Sequence, residues 1–227
     1  MIRLYFHHTP NPMKVALFLE EAGLDYEVVP VDTFKGEQHS PDFLKVNPNG
    51  KLPAIEDDGV PVFDSNAIVL YLSEKAGKFG GKPEDRGSFL SWLMFVATGL
   101  GPYSGQAVHF QRTHTESAYA TNRYRREAER HYRILDDRLA DRDHLVGGEF
   151  TIVDMAAWGW IERAPYVLNN SDTPLDATPN LKRWFQAIDS RPAVARVRRI
   201  VQDIPFKRDF DEVTLRSLFP QNYVKPA

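Results

Sequence analysis

The order of strand and helix patterns in the first third of the chain most restricts its fold. Residues 2–6 form a short strand pattern, residues 15–22 have helical apolar spacing, and residues 26–31 form a second strand pattern. A strand, helix and strand in this order close through a right-handed crossover, which makes the two strands parallel. The sequence therefore predicts a parallel pair at the start of the chain.

The next segment predicts two antiparallel strands and a closing helix. Residues 52–56 and 60–63 have strand patterns, and the tight turn Asp57-Asp58-Gly59 lies between them. Residues 65–75 then have helical spacing and end just before Gly77. Together with the first pair this gives a small mixed sheet packed against helices, an α+β domain of residues 1–77.

The remainder of the chain is predicted to be helical. Residues 77–83 contain a Gly-Gly pair and a proline and form a plausible linker. Apolar residues at helical spacing follow in residues 89–100 and 124–139. Thr151 and Asp154 have the spacing of a capping box before another apolar helix. We expect an all-α domain over residues 83–206, followed by a polar, irregular tail over residues 207–227.

Composition excludes several classes of function. The 227 residues include 28 basic and 31 acidic side chains and no cysteine. Without cysteine there is no thiolate nucleophile or disulfide, so any thiol chemistry must use the thiol of a ligand. No basic face predicts nucleic-acid binding, and no apolar run is long enough to span a membrane. No targeting segment or metal-ligand spacing stands out, so we predict a metal-free cytoplasmic protein.

Three motifs resemble the glutathione transferases. Residues 46–55 (VNPNGKLPAI) are similar to the turn before the third strand of that family, and residues 64–68 (DSNAI) to its next signature. Residues 148–154 (GEFTIVD) resemble its C-terminal folding motif. The resemblance spans nearly the whole chain. It implies a thioredoxin-like N-terminal domain, an all-α glutathione transferase C-terminal domain, and a homodimer of two identical chains.

A narrower resemblance is to the bacterial nu class and the related Ure2-like proteins. It rests on Thr9-Pro10-Asn11 and on residues 99–102 (GLGP) and 105–110 (GQAVHF). The nu class implies a preference for oxidised glutathione and a disulfide-reducing activity. Two alternatives stay open: conjugation of glutathione to an electrophile, and non-catalytic glutathione binding by a regulatory protein.

Thr9 and Asn11 are the candidate catalytic residues. Asn11 suits a helix N-cap and Pro12 the first helical position, which alone could account for the segment. The same helix start would favour a nearby thiolate, and the Thr9 hydroxyl and Asn11 amide could donate hydrogen bonds to it. Tyr5, near the position of the sulfur ligand in tyrosine-type transferases, is a rival.

The resemblance also assigns residues that hold glutathione. Pro53 is expected to follow a cis peptide bond, so that the main chain of Leu52 pairs with the cysteinyl unit. Asp64 would bind the γ-glutamyl ammonium, and Ser65 with the following helix N-terminus the γ-glutamyl carboxylate. Lys51 and Gln38 would hold the glycyl carboxylate. Local capping by Asp64 or Ser65 is the structural alternative.

Candidates near a second substrate lie in the helical domain. Gln106, His109 and Phe110 follow a Gly-Pro turn, and Arg130 lies on a strongly basic helix. A packed histidine and a solvated basic face are the ordinary interpretations of these features. The family resemblance implies contact of the first three with the second substrate, a small disulfide or an electrophile. It also implies that Arg130 reaches the partner subunit's glutathione site.

Overall fold

The computed structural model describes residues 1–113 and 116–223. These residues form two compact units. The first comprises residues 1–69 together with residues 195–223, and the second comprises the described part of residues 70–194. The first unit thus combines most of the expected N-terminal domain, residues 1–69 of 1–77, with the C-terminal segment of the described residues.

The first unit contains a four-stranded sheet. Its strands are β1 (Ile2–Phe6), β2 (Tyr26–Pro30), β3 (Ala54–Asp57) and β4 (Val60–Phe63), in the order β2-β1-β3-β4. Strands β1 and β2 are parallel, and β3 is antiparallel to both of its neighbours. Residues 58 and 59, both at positive φ, make the two-residue turn between β3 and β4. The mixed thioredoxin-like sheet predicted from the sequence is confirmed.

Helices cover the sheet on both faces. Helix α1 spans Pro10–Ala22, α2 spans Pro41–Val46, and α3, Ser65–Ala76, begins in this unit. Strand β1 alternates between the faces, so Ile2, Leu4 and Phe6 are buried while Arg3 and Tyr5 face the other way. On that second face Tyr5 packs on a small cluster that includes Phe43 of α2.

The C-terminal segment departs from the irregular tail that the sequence predicted. Residues Glu212–Leu218 form a helix, because Asp211 caps its first turn by accepting a hydrogen bond from the Thr214 N–H at 2.8 Å. The segment packs on the first unit. The Lys207 N–H donates to Asp32 at 2.8 Å, and the Phe206 ring lies 4.4 Å from that of His7.

The second unit is built from helices in its described residues. Their bounds are α4 Arg86–Phe95, α5 Gly101–Thr113, α6 Ala118–Arg138, α7 Ile152–Ile161, α8 Ala164–Val167, α9 Pro179–Asp189 and α10 Pro192–Asp203, the last of which continues into the first unit. A π-helical turn, Val96–Leu100, joins α4 to α5. The all-α C-terminal domain is therefore confirmed. Within the described residues, no helix combines the length and apolar character needed to cross a bilayer.

The capping box predicted at Thr151 and Asp154 is present at the start of α7. The Thr151 hydroxyl accepts from the Val153 N–H at 3.2 Å, and Asp154 accepts from the Thr151 N–H at 3.0 Å. Asp154 also accepts hydrogen bonds from Leu145 and Trp184. The box therefore ties the start of α7 to two other segments of the helical unit.

Candidate functional site

Three predicted site segments meet one edge of the sheet. Tyr5 near the end of β1 pairs with Ala54 at the start of β3, and Ala54 pairs with Phe63 at the end of β4. Thr9 comes shortly after β1, Leu52-Pro53 directly precedes β3, and Asp64 directly follows β4. The strand register thus brings these segments to a common edge.

Helix α1 begins two residues earlier than predicted, at Pro10 instead of Pro12. Thr9 is the N-cap, with extended backbone at φ −136° and ψ 162°, and Pro10 is the first helical residue. Asn11 is therefore inside the first turn, and its predicted N-cap role is wrong. The physical reason is that the fixed φ of Pro10 already suits a first helical position.

Few donors remain free at this helix start. Pro10 and Pro12 have no N–H, and the Met13 N–H bonds to the Thr9 carbonyl at 3.3 Å. In the first turn only Asn11 can offer a backbone N–H. The Thr9 hydroxyl makes no capping hydrogen bond, and both Thr9 and Asn11 are partly exposed. A ligand atom here would meet the hydroxyl, one backbone N–H and the Asn11 amide.

The turn before β3 has the expected cis peptide bond between Leu52 and Pro53. Buried Asn47, which the sequence analysis did not single out, closes this turn: its side chain donates to the Lys51 carbonyl at 2.6 Å and accepts from the Asn49 N–H at 3.0 Å. The side chain of Lys51 is exposed. None of the backbone hydrogen bonds of the described residues involves Leu52. Its main chain is therefore available to an added strand.

Asp64 caps α3 from a left-handed backbone conformation. Its φ is 67°, and its Oδ1 accepts from the Asn66 N–H at 2.8 Å and the Ala67 N–H at 3.1 Å. Aspartate tolerates this conformation better than most residues. Asp64 is exposed while Ser65 is buried. The capping alternative is thus present, and since both bonds use Oδ1, it does not occupy the second carboxylate oxygen.

A buried lysine that the sequence analysis missed lies next to this cap. The Lys14 ammonium donates to the Asn66 side-chain oxygen at 2.8 Å, and Lys14 is 1% exposed. Burial lowers its pKa to about 7, and the nearby Asp64 carboxylate opposes that shift. The only sequence signal was a lysine within the apolar residues 13–19.

Gln38 is engaged by the C-terminal segment. It is buried, and its amide donates to the Ser217 carbonyl at 2.9 Å, while the His39 ring lies at the same distance from that carbonyl. The other amide atom of Gln38, Oε1, is an acceptor and cannot bind a carboxylate. The amide nitrogen carries a second N–H that could donate to a ligand carboxylate without releasing Ser217, but Gln38 is only 3% exposed.

The Tyr5 hydroxyl has a protein partner of its own. It donates to the Glu56 carboxylate, and an Arg3 N–H donates to it at 3.3 Å. Burial and Glu56 together raise the pKa of Tyr5 to about 12. Tyr5 lines a cavity of about 480 Å³ beside Phe43, and neither Thr9 nor Asp64 lines that cavity. This arrangement favours Thr9 and Asn11 over Tyr5 as ligands of a sulfur atom.

The other predicted residues belong to the helical unit. His109 packs edge-on against Phe110 at 5.1 Å, and Phe110 stacks on Tyr124 at 5.2 Å. Gln106 is exposed, and Arg130 forms an ion pair with Glu127 at 3.0 Å. The roles of Gln106, His109, Phe110 and Arg130 toward a substrate remain predictions. Among the residues that the structure describes, no group of histidine and carboxylate side chains could hold a metal ion.

Comparison with known families extends the resemblance over both halves of the chain. Residues 2–74 match the family model described as "Glutathione S-transferase, N-terminal domain". Residues 118–187 match that described as "Glutathione S-transferase, C-terminal domain". The matches thus cover the sheet with its candidate site and a large part of the helical unit.

Individual relatives match over nearly their full lengths. The chain is 41% identical to the disulfide-bond oxidoreductase YfcG of Escherichia coli (strain K12), over 86% of this chain and 94% of that protein. The glutathione transferase URE2P8 from Phanerochaete chrysosporium, solved with oxidized glutathione, has a TM-score of 0.82 at 36% identity, over 88% and 95% of the chains. A glutathione transferase from Burkholderia graminis, with two glutathione molecules per subunit, has a TM-score of 0.78 at 33% identity, over 86% of both chains.

Proposed function

Because the chain belongs to the glutathione S-transferase family, we propose that it is an enzyme that binds glutathione and reduces disulfides with it. The observation that carries the proposal is the donor set at the start of α1. The Thr9 hydroxyl is left without a capping role, and a chain with no cysteine must take its reacting sulfur from the ligand.

Glutathione would lie along the sheet edge in an extended form. Its cysteinyl unit would pair with the main chain of Leu52, as an added strand does. Its γ-glutamyl ammonium would bind Asp64 through Oδ2. Its γ-glutamyl carboxylate would meet Ser65 at the start of α3, since Asp64 already accepts from the next two N–H groups of the helix. Exposed Lys51 is the stronger candidate for the glycyl carboxylate, because Gln38 is buried and already donates one N–H to Ser217.

The Thr9 hydroxyl and the Asn11 donors would then stabilise the glutathione thiolate. Hydrogen bonds to the charged form of a group lower its pKa, so the bound thiol would be ionised to a greater extent at neutral pH. The thiolate, not the thiol, is the form that attacks a disulfide.

The reaction takes place in two exchanges. The bound thiolate attacks one sulfur of the substrate disulfide, which breaks the sulfur–sulfur bond, releases one substrate thiolate and leaves a mixed disulfide. A second glutathione thiolate attacks the glutathione sulfur of that mixed disulfide. Two glutathione molecules are thereby oxidised to glutathione disulfide, and the substrate is reduced to two thiols, which take up the two protons that the glutathione thiols lost. Support for this scheme comes from relatives solved with oxidized glutathione or with two glutathione molecules.

Turnover of 2-hydroxyethyl disulfide with glutathione tests the proposal. We expect enzyme-dependent oxidation of glutathione that exceeds the conjugation of an aryl halide and of an isothiocyanate measured with the same preparation. Calorimetric titration with glutathione disulfide provides the matched binding measurement. A protein that binds the disulfide but reduces no 2-hydroxyethyl disulfide would contradict the reductase proposal. Conjugating activity in that protein would then favour a transferase, and its absence a non-catalytic binder.

We also propose that the protein is a homodimer in the cytoplasm. Leu90 and Met94, one turn apart on α4, are 37% and 45% exposed, as expected of a face that another subunit covers. The cytosol keeps thiols reduced through glutathione, so it supplies the co-substrate. Light scattering should give twice the chain mass of 26.0 kDa, and a monomer would contradict the dimer.

A further inference from the structure

Lys14 is the feature of the first unit that the proposed reaction leaves unexplained. It is the only lysine or arginine among the buried residues of the described chain. It lies on α1 among apolar neighbours in the sequence, and its ammonium bonds to Asn66. A charged group without a full set of partners is costly to bury, and an apolar side chain of similar length would fill the same space. Packing alone therefore does not explain why a lysine is present.

Hydrogen bonds connect Lys14 to Asp64 through a single residue. The Lys14 ammonium donates to the Asn66 side-chain oxygen at 2.8 Å, and the Asn66 backbone N–H donates to Asp64 at 2.8 Å. Asn66 is the second residue of α3 and is itself 8% exposed. The connection thus runs from a buried position on α1 to an exposed carboxylate at the sheet edge.

The position of Asp64 depends on this first turn of α3. Its backbone has a positive φ, and its carboxylate is oriented by the N–H groups of Asn66 and Ala67. If Asn66 shifts, the carboxylate loses a hydrogen bond that holds it in place. A ligand then has to order the carboxylate on binding, and that ordering weakens affinity.

We propose that Lys14 is a positioning residue for the γ-glutamyl ammonium of glutathione, acting through Asn66 to hold the Asp64 carboxylate in its binding orientation. This inference rests on the proposed binding of glutathione at the sheet edge. Lys14 itself would touch no ligand, because it is 1% exposed and its ammonium donates to Asn66. Its effect should therefore be confined to the end of glutathione that Asp64 binds.

A ligand that lacks one group tests this directly. Glutaryl-cysteinylglycine differs from glutathione only in lacking the α-ammonium group that Asp64 would bind. Calorimetric titration of both ligands should show that Lys14→Met lowers the affinity for glutathione about tenfold. This value assumes that only about a tenth of the Asp64 carboxylates keep the binding orientation in the variant. Affinity for the analogue should change less than about twofold, since the analogue makes no use of that orientation.

Three further variants serve as references for this measurement. Asp64→Asn keeps the capping oxygen but removes the charge, so it should also weaken glutathione selectively, and adding Lys14→Met to it should cause little further loss. Lys45→Met is the matched control. This exposed lysine of α2 pairs with Asp42, outside the proposed site, and its replacement should leave both affinities unchanged.

Asn66→Ala removes the side-chain oxygen that accepts from Lys14, so it breaks the same connection. It replaces Lys14→Met in the experiment if that variant does not fold. Loss of affinity for glutathione alone in either variant supports the inference. Equal loss for both ligands, or no loss, overturns it and leaves Lys14 a structural residue. Wild-type protein that binds neither ligand would instead overturn the proposed function, so the two failures are distinguishable.

Discussion

Helices α1 and α7 both begin with a threonine N-cap, yet the two threonines are used differently. The backbone is extended at both, with φ −136° and ψ 162° at Thr9 and φ −128° and ψ 174° at Thr151. The Thr151 hydroxyl is buried and caps the Val153 N–H, whereas the Thr9 hydroxyl makes no capping bond and is partly exposed. The same residue type in the same conformation is structural at one helix and available to a ligand at the other.

The residues that follow each threonine differ at the third helical position. An N-cap hydroxyl accepts from the second or third N–H of its helix. After Thr9 the third helical position is Pro12, which has no N–H, whereas after Thr151 it is Asp154, whose carboxylate completes the box. Proline at this position removes one of the two capping targets. The second-position N–H, which Thr151 caps at Val153, is present at Asn11, but the Thr9 hydroxyl does not accept from it.

The largest effect on the free energy of unfolding is expected at the buried capping box of α7. Asp154→Ala leaves the N–H groups of Leu145, Thr151 and Trp184 without their acceptor in the core of the helical unit. We expect unfolding in urea to show a loss of about 4 kcal/mol, because several buried donors lose their partner together. Asp154→Asn, which keeps one acceptor oxygen, should lose less. A loss below about 1 kcal/mol in Asp154→Ala would contradict this account.

Buried Lys14 differs from buried Asp154 in its hydrogen bonds. Asp154 accepts from several donors, whereas the Lys14 ammonium donates to one acceptor among the described residues, the side-chain oxygen of Asn66. Below about pH 7 Lys14 is protonated in both the folded and unfolded chain, and it adds no slope to stability. Between about 7 and its ordinary pKa of 10.5 the unfolded chain holds the proton and the folded chain does not. Its contribution therefore makes the free energy of unfolding rise with pH, by a total on the order of a few kcal/mol.

Urea unfolding of wild type and Lys14→Met at pH 6, 7, 8 and 9 isolates this contribution. The stability of the variant relative to wild type should be highest at pH 6 and should fall as the pH rises above 7. Other titrating groups are common to both proteins and cancel in the difference. A difference that does not change with pH would show that Lys14 has the same protonation state throughout this range.

The smallest effect on stability is expected at Thr9, the partly exposed N-cap of α1. Thr9→Ala should change the free energy of unfolding by less than about 0.5 kcal/mol, since no capping bond is lost. Disulfide turnover should fall about 10- to 100-fold, because a hydrogen bond to a charged group contributes about 1.5–3 kcal/mol. Thr9→Ser should keep most of the rate.

Thr151→Ala is the counterpart of that variant at α7. It should cost about 1–2 kcal/mol of stability, as loss of an N-cap does, and leave the turnover of folded enzyme unchanged. If Thr9→Ala destabilised the protein as much as Thr151→Ala while turnover stayed normal, the contrast between the two threonines would be lost.

Sequence patterns predicted the sheet and the helical domain because those depend on local periodicity. The strands have short apolar patterns separated by turns, and the Thr151 box is a spacing rule that needs no tertiary information. Helix α2 was not predicted, since its six residues are too few for a periodic signal and lie in a polar segment.

The site was predicted less completely because part of it depends on burial and long-range contact. Asp64 and the Leu52-Pro53 bond could be located from motifs, but nothing local indicates that Lys14 is buried against Asn66. Gln38 likewise bonds to Ser217, 179 residues later in the chain. A tail with polar composition predicts irregular structure, and only the cap at Asp211 and packing on the first unit give it a helix.

The contact between the C-terminal segment and the first unit also bears on how the chain folds during translation. Asp32 and Gln38 bond to residues that lie 175 and 179 positions later. At about 5–20 residues per second, the ribosome needs roughly 10–35 s to make the intervening chain. For that interval the nascent sheet domain lacks these two hydrogen-bond partners, and the first unit is completed only after Lys207 and Ser217 have been made.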